Sequence, residues 1–302
     1  MYMIVGANGF FGAYIMQAVL ELTQDSILAL GRSVRDARTV DAGSADKDSR
    51  IRWMQCDITK KEDIDRVQDT LAQKEDLKVI FLAAYHNPDL VEKHKHTAWN
   101  TNITALSIFM NTISNVKCFF YPSSDSVYGN GGTSRHFKET DRLNPVNRYG
   151  VQKAAAEYLV NAYGYNVVRF PFLIGPSLVM HKKHFYDQIV QSIEEGRRMQ
   201  MFTDSVRSSL DFQTAARLLV QLMEQYRPDM PKILNVSGDE DLSKYDVGIR
   251  IARKLGAEES WIEPISTENT KGIFEAKRAA STLLDNQEMK KYLGLTEVKM
   301  QI

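Results

Sequence analysis

Only two cysteines occur in 302 residues, which leaves no disulfide framework. Both, Cys56 and Cys118, lie in apolar runs where a small buried thiol is the ordinary reading. Neither charge sign is in excess: 38 Lys and Arg face 38 Asp and Glu. No global field therefore favours nucleic acid or an anionic membrane surface, and any anion must be met locally. Long hydrophobic runs are missing as well. The longest, Val79 to Tyr85, falls far short of the about 18 residues that a membrane-crossing helix needs. Met1 leads almost at once into a strand-like run, without a basic leader and apolar core. These absences predict a cytoplasmic protein with no nucleic-acid and no membrane partner. What is present is ordinary for globular chains, 43% hydrophobic and 25% charged, enough for one large domain or a domain with a smaller companion.

The order of apolar patterns carries the fold class. Tyr2 to Val5 reads as a short buried strand. Phe11, Tyr14, Ile15, Ala18, Val19 and Leu22 fall on one face of a helix over Phe10 to Leu22. Strand-like runs follow at Ser26 to Leu30, Ile51 to Cys56, Leu77 to Ala83, Cys118 to Tyr121 and Val167 to Phe170. Helical segments come between them at Lys61 to Leu71, Ala98 to Ile113 and Tyr149 to Ala162. This alternation predicts an α/β protein with a parallel, doubly wound sheet, because parallel strands need crossover connections. The polar run Ser33 to Asp48 reads as a surface loop. Beyond Pro171 the pattern is less regular, with helices at Phe185 to Glu194, Phe212 to Gln225 and Lys244 to Leu255 and a strand at Ile233 to Val236. The expected division is a dinucleotide-binding domain over 1–171, to which 204–240 returns, and a smaller substrate-binding lobe from 172–203 and 241–302.

Between the first strand and the first helix, Gly6, Ala7, Asn8, Gly9, Phe10, Phe11 and Gly12 place three glycines at spacing three. Glycine accepts positive φ and lets the backbone approach a pyrophosphate, which the free amides and dipole of the helix N-terminus then stabilise. The strand-turn-helix context makes this a cofactor turn rather than a plain one. The acidic residue that usually takes a ribose 2′-hydroxyl is absent at the end of the second strand, where Gly31, Arg32 and Ser33 stand. A guanidinium there suits a 2′-phosphate, so NADP(H) is favoured and NAD(H) is the alternative. After the third strand, Asp57 and Ile58 either meet the adenine edge or, for Asp57, cap the helix beginning near Lys60.

Tyr149 and Lys153 are four residues apart at the start of a helix, on one face and about 6 Å apart along the axis. A phenol is a poor acid-base catalyst at neutral pH, and an adjacent ammonium favours its phenolate. The spacing alone arises about once by chance in a chain of this composition. Its position adds weight, together with an upstream strand that delivers Ser123, Ser124, Asp125, Ser126, Val127, Tyr128 and Gly129.

With the glycine turn, Leu82, Ala83 and Ala84 after the fourth strand, Asn102 in the next helix, the SSDSVYG run and YGVQK, the chain resembles the extended short-chain dehydrogenase/reductase family across nearly its whole length. The resemblance implies a Rossmann fold with a smaller C-terminal lobe. It implies that Ser124 hydrogen-bonds the reacting carbonyl oxygen and that Tyr149 exchanges its proton. Lys153 would bind the nicotinamide ribose and tune Tyr149, and Asn102 would anchor the active-site helix and a proton-relay water. The segment from Ala276 to Asp285 resembles the C-terminal signature of dTDP-4-dehydrorhamnose reductases, although Ala279 stands where proline is usual. The acidic stretch after the fourth strand is only partly kept, as Asp89 and Glu92.

By the same resemblance Arg207 and Arg278 are candidates for a substrate diphosphate, whose oxygens match a guanidinium fork. Asp125 and Ser126 line the substrate pocket beside Ser124. His94 and His96 are two apart on different helix sides, and with His86 they complete no ligand set, so no metal is expected. The leading reading is an NAD(P)H-dependent reductase of a 4-keto group on a nucleotide-linked deoxysugar. The alternatives are a sugar-nucleotide epimerase or dehydratase with tightly held NAD, and a non-catalytic NADP-binding regulatory subunit. Dehydratases of the family carry an Asp-Glu pair after the Ser or Thr, whereas Asp125 and Ser126 stand here. The resemblance also implies a homodimer formed through the helices carrying Asn102 and Tyr149.

Overall fold

The computed structural model describes the chain apart from residues 34–47, 72–75, 181 and 271–273, and apart from the side chains of 269 and 270. The surface loop read over Ser33 to Asp48 thus lies, except for its ends, outside the described residues. From the N-terminus run β1 (Tyr2–Val5), α1 (Phe10–Leu22), β2 (Ile27–Gly31), β3 (Ile51–Gln55), α2 (Lys61–Leu71) and β4 (Leu77–Phe81). Next come α3 (Pro88–Lys93), α4 (Lys95–Trp99), α5 (Ala105–Thr112), β5 (Val116–Ser124), β6 (His136–Phe137), α6 (Arg148–Ala162) and β7 (Asn166–Phe170). After these lie β8 (Leu173–Ile174), α7 (Phe185–Glu194), β9 (Met199–Phe202), β10 (Val206–Ser208), β11 (Leu210–Asp211), α8 (Phe212–Glu224) and β12 (Ile233–Asn235). The chain closes with β13 (Asp241–Ser243), α9 (Lys244–Lys254), β14 (Ile262–Ile265), β15 (Ser281–Leu284) and α10 (Gln287–Leu293).

Seven strands form one sheet in the order β12-β7-β5-β4-β1-β2-β3, and every pairing is parallel. Its central strands are apolar runs because helices cover both faces. In β1 the pleat sends Tyr2 and Ile4 into the layer beneath α1 and α8, and Met3 and Val5 into the layer beneath α2, α5 and α6. β1 is flanked by β2 on one side and β4 on the other, so the winding direction reverses there. A crevice opens at such a switch point, outside the carboxyl ends of the strands.

Three features differ from the expected elements. The helix read over Ala98 to Ile113 is interrupted: α4 ends at Trp99, a π-helical turn spans Asn100–Thr104, and α5 resumes at Ala105. Such wide turns commonly mark functional positions, and Asn102 sits in this one. Residues 206–208 lie in a second sheet, of order β13-β10-β15-β6, so the return to the large sheet is made by α8 and β12. The C-terminal stretch also returns, because Met289 and Val298 are buried in the layer with α1 and α8. A separate core, with Ile189, Met201, Val247, Ile251 and Ile262, holds the second lobe together.

Candidate active site

The switch-point crevice is a cavity of about 630 Å³, lined by the glycine turn, by Gly31 to Ser33, by Cys56 to Thr59 and by Leu82 to Asn87. Gly6 has φ of +90°, and a Cβ there would lie 2.8 Å from the Ala83 backbone nitrogen. At Gly12 a Cβ would lie 2.7 Å from the Ala7 carbonyl oxygen. The turn is therefore packed as tightly as glycine allows. Gly9 caps α1 without a side-chain hydrogen bond, and the first turn holds no acidic residue. Its amides are left for an anion.

Asn8 adds a second mark of a binding site. Its Nδ2 donates to the Ser33 carbonyl at 2.7 Å, while its buried Oδ1 has no partner among the described residues. The same side chain explains the missing acid after β2, because a Cβ on Gly31 would sit 2.6 Å from Asn8 Nδ2. These features fit a dinucleotide. Arg32 and Ile58 line the cavity, as do Leu82, Ala83 and Ala84. Asp57 also lines it, but its carboxylate accepts from the Thr59 amide and hydroxyl at 3.0 and 2.7 Å. Burial acts to raise its pKa, and the Thr59 bonds with Lys60 and Arg32 nearby hold it below the usual range.

The side chains of Phe10 and Phe11 turn away from the crevice. Phe10 meets His184 edge-on and Phe11 meets Phe170 edge-on. Only the backbone amides of these two residues are thus available to a cofactor. Lys182, which the sequence reading missed, lines the cavity and donates to the Asn8 carbonyl at 3.2 Å. Its signal was weak, since it belongs to a basic loop run far from any motif.

Ser124 ends β5 and Tyr149 opens α6, where Asn147 caps the helix by accepting from the Gly150 amide at 2.9 Å. The Ser124 hydroxyl lies near the Tyr149 phenol. Burial and the charge of Asp125 push this phenol above its ordinary pKa, against the pull of Ser124. Lys153 is buried one turn on, and its Nζ donates to the Tyr121 hydroxyl at 3.1 Å and the Pro122 carbonyl at 2.9 Å. Burial lowers its pKa to about 8, opposed by Glu157. Asn102 pins the frame: its Oδ1 accepts from the Tyr85 amide at 2.7 Å, and its Nδ2 donates to Gln152 on α6 at 2.7 Å. It thereby ties the chain after β4 to the helix carrying Tyr149 and Lys153.

Behind Ser124 lies a buried ion pair that sequence reading did not single out. Arg169 on β7 and Glu157 on α6 meet at 2.6 Å, each 2% exposed. Ser123 donates to the same carboxylate at 2.5 Å, and Arg169 also donates to the Tyr128 hydroxyl at 2.6 Å. No local pattern marks such a pair, because its members come from different elements. Cys56 and Cys118 are both free and buried, and burial pushes their thiols up to about 12.

A second cavity, of about 240 Å³, is lined by Ser124 and by Asp125, Ser126, Arg207, Lys244 and Arg278. Arg207 Nε meets the buried Asp125 carboxylate at 3.1 Å, and Asp125 accepts from Ser124 Oγ at 2.9 Å. Burial raises the Asp125 pKa, opposed by Arg207 and the two serines. Arg278 pairs with Asp89 at 2.7 Å, and Glu92 pairs with Arg148 at 2.8 Å. The two acids after β4 are therefore fastened to the second lobe and to α6 respectively. Among the described residues no cluster of three or more His, Cys, Asp and Glu could hold a metal ion, and no helix is long and apolar enough to cross a membrane.

Residues 1–301 match the family model described as the RmlD substrate binding domain. The chain is 27% identical over 213 residues to methionine adenosyltransferase 2 subunit beta of Bos taurus, a match covering 67% of this chain and 61% of that protein. Among solved structures, dTDP-4-dehydrorhamnose reductase of Bacillus anthracis in complex with NADP superposes with a TM-score of 0.75 at 19% identity, covering 99% and 94% of the two chains. UDP-glucuronic acid 4-epimerase of Bacillus cereus, in complex with UDP-glucuronic acid and NAD, superposes with a TM-score of 0.79 at 19% identity, covering 100% and 95%. At such identities the superpositions speak for the fold. The family match runs through both lobes and leaves neither outside it: the chain belongs to the RmlD substrate binding domain family, on the fold of the extended short-chain dehydrogenase/reductases.

Proposed function

We propose that this protein is an NAD(P)H-dependent reductase of a 4-keto group on a nucleotide-linked deoxysugar. The observation that carries the reading is the presence of two cavities, one lined by the glycine turn and one in which Ser124, with Tyr149 near it, stands among cationic side chains. A reduced nicotinamide bound in the first cavity supplies hydride. Gly6, Gly9 and Gly12 with the first-turn amides of α1 hold its pyrophosphate, and Arg32 favours a 2′-phosphate. Ser124 donates to the substrate carbonyl oxygen, and the Tyr149 phenol delivers the proton that turns it into a hydroxyl. Burial keeps that phenol protonated until the oxygen needs its proton. Lys153 as an ammonium binds the ribose hydroxyls and steadies the phenolate left behind.

The dehydratase alternative lacks a base, because Ser126 stands where elimination needs a carboxylate. Asp125, the remaining acid, is held by Arg207 and two serine hydroxyls. A second reading has one observation in its favour, the similarity to a protein named as a subunit of methionine adenosyltransferase. In it the chain is a nucleotide-binding subunit of a larger assembly without turnover of its own. We further propose a homodimer in either reading, supported by the exposed apolar side chains of Trp99, Val151 and Tyr158 on α4 and α6.

The test is thermal stabilisation of the purified protein by NAD, NADP and a panel of UDP-, GDP-, CMP- and dTDP-sugars. A ligand at about a hundred times its Kd stabilises by about 2.7 kcal/mol. The reductase reading expects separate responses to NADP(H) and to a sugar nucleotide. A response to the cofactor without any to a sugar nucleotide favours the subunit reading, and copurifying, non-exchangeable NAD favours an epimerase.

A further inference from the structure

The second cavity gathers three cations whose circumstances differ. Arg207 has five N–H donors, and three are already hydrogen-bonded. Its Nε meets Asp125, its Nη1 donates to the Val206 and Ala280 carbonyls at 2.7 and 2.9 Å, and its Nη2 donates to the Ala279 carbonyl at 2.8 Å. Arg278 is matched by Asp89 at 2.7 Å and donates to the Ala276 carbonyl at 3.0 Å. Both guanidinium groups are thus held by the protein, each with a carboxylate of its own.

Lys244 is different. It is the first residue of α9, whose cap is closed by Ser243 and Asp246. Its ammonium lies over the rings of Phe172 at 5.5 Å and Phe185 at 5.2 Å. Among the described residues it has neither a carboxylate nor a hydrogen-bond acceptor. Burial, and then the charges of Arg207 and Arg278, hold its pKa below the ordinary lysine value. An ammonium partly removed from water and left without a counter-ion destabilises the free protein, and an anion brought to it recovers that cost. The partial positive charge at the start of α9 adds to the attraction.

We infer that Lys244 is the side chain that receives the diphosphate of a nucleotide-linked ligand in this cavity, and that Arg207 is a positioning residue that holds Asp125 against Ser124. The inference rests on the sugar-nucleotide reading given above and names the residue that decides its anion specificity. It departs from the family resemblance, which pointed to Arg207 for the diphosphate. The three free donors and uncompensated charge of Lys244 suit a diphosphate oxygen better than a guanidinium with three of its five donors hydrogen-bonded and its charge met by Asp125.

The test is calorimetric titration of dTDP and UDP, at fixed ionic strength, into the NADPH-loaded full chain as wild type, Lys244→Gln, Lys244→Arg and Arg207→Gln. Lys244→Gln is expected to weaken nucleoside diphosphate binding at least about tenfold, the scale of one charge-assisted contact. It should leave NADPH affinity unchanged, and Lys244→Arg should restore most of the loss. Because the free protein is relieved of an unpaired charge, the ligand-free melting temperature of Lys244→Gln should not fall. Equal dTDP affinity in wild type and Lys244→Gln, with the loss appearing in Arg207→Gln instead, overturns the assignment. So does a Lys244→Gln loss confined to a sugar carboxylate, seen with UDP-glucuronate and absent with UDP. A wild type that binds NADPH but no nucleoside diphosphate at all sinks the sugar-nucleotide reading, and this inference with it.

Discussion

Ser124, Tyr149 and Lys153 do not interact as a simple row. The phenol lies near Ser124, while the lysine turns to Tyr121 and Pro122. Tyr149→Phe keeps the ring packing and removes the proton donor, so fold and NADPH affinity should persist while turnover falls at least about a hundredfold. Steady-state kinetics beside a melting curve check this, and wild-type turnover in the variant would remove Tyr149 from the mechanism. Lys153 sets the pH dependence. With its pKa lowered to about 8, it is an ammonium below that pH and a neutral amine above it, whereas the raised Tyr149 phenol stays protonated throughout. Since kcat/KM reports the free enzyme, it should fall as pH rises through about 8, and the fall should move to higher pH in Lys153→Arg. A profile flat through about pH 9 would contradict the assignment.

These three residues were legible in the sequence because their spacing is local and their motifs carry chemistry. Arg207 was legible as a candidate substrate-binding cation but not in its bonding, since the carbonyls of Ala279 and Ala280 reach it only through the pairing of β10 with β15. Lys244 was invisible as a functional residue. A lysine opening a helix is usually solvated, and what sets this one apart is two rings and the absence of an acid.

At the level of elements, α1 was read from its apolar face and its turn from glycine spacing between strand and helix, and the structure adds what Gly6 and Gly12 avoid. A methyl at Gly12 would press on the Ala7 backbone at 2.7 Å. Gly12→Ala should therefore displace the turn and weaken NADPH binding at least about tenfold, measurable by fluorescence titration. Unchanged affinity would mean that the turn does not hold the cofactor. α6 illustrates what periodicity misses. Its Glu157 is an apparent helix-surface acid in sequence, yet it is buried against Arg169 and Ser123. Removing one member of such a pair leaves the other charge uncompensated, so Glu157→Gln should destabilise the fold by about 3 to 5 kcal/mol in urea unfolding. A loss below about 1 kcal/mol would show the pair to be dispensable. The π turn at Asn100–Thr104 was missed for the same kind of reason: it is a tertiary arrangement, in which Asn102 meets Tyr85 and Gln152, and no residue type demands it locally.

Across the whole molecule, the parallel sheet was legible because alternating strands and helices admit few arrangements, and the helices of the second lobe at 185–194 and 244–254 were legible too, whereas the strand pairing of that lobe was not. Its strands are two to four residues long, and their pairing joins distant stretches such as β15 with β6 and β14 with β9. The consequence of that lobe is a second cavity, lined by Ser124 and distinct from the glycine-turn cavity, and two cavities are what the proposed two-substrate reduction requires and a cofactor-binding subunit does not. The most direct test supplies NADPH and a 4-keto-6-deoxy sugar nucleotide, following NADPH absorbance and the product together. The account predicts NADPH oxidation stoichiometric with formation of the deoxysugar nucleotide. Conversion of an unmodified hexose nucleotide to its 4-keto-6-deoxy form without net NADPH use would contradict it, as would NADPH binding with no turnover of any keto-sugar nucleotide.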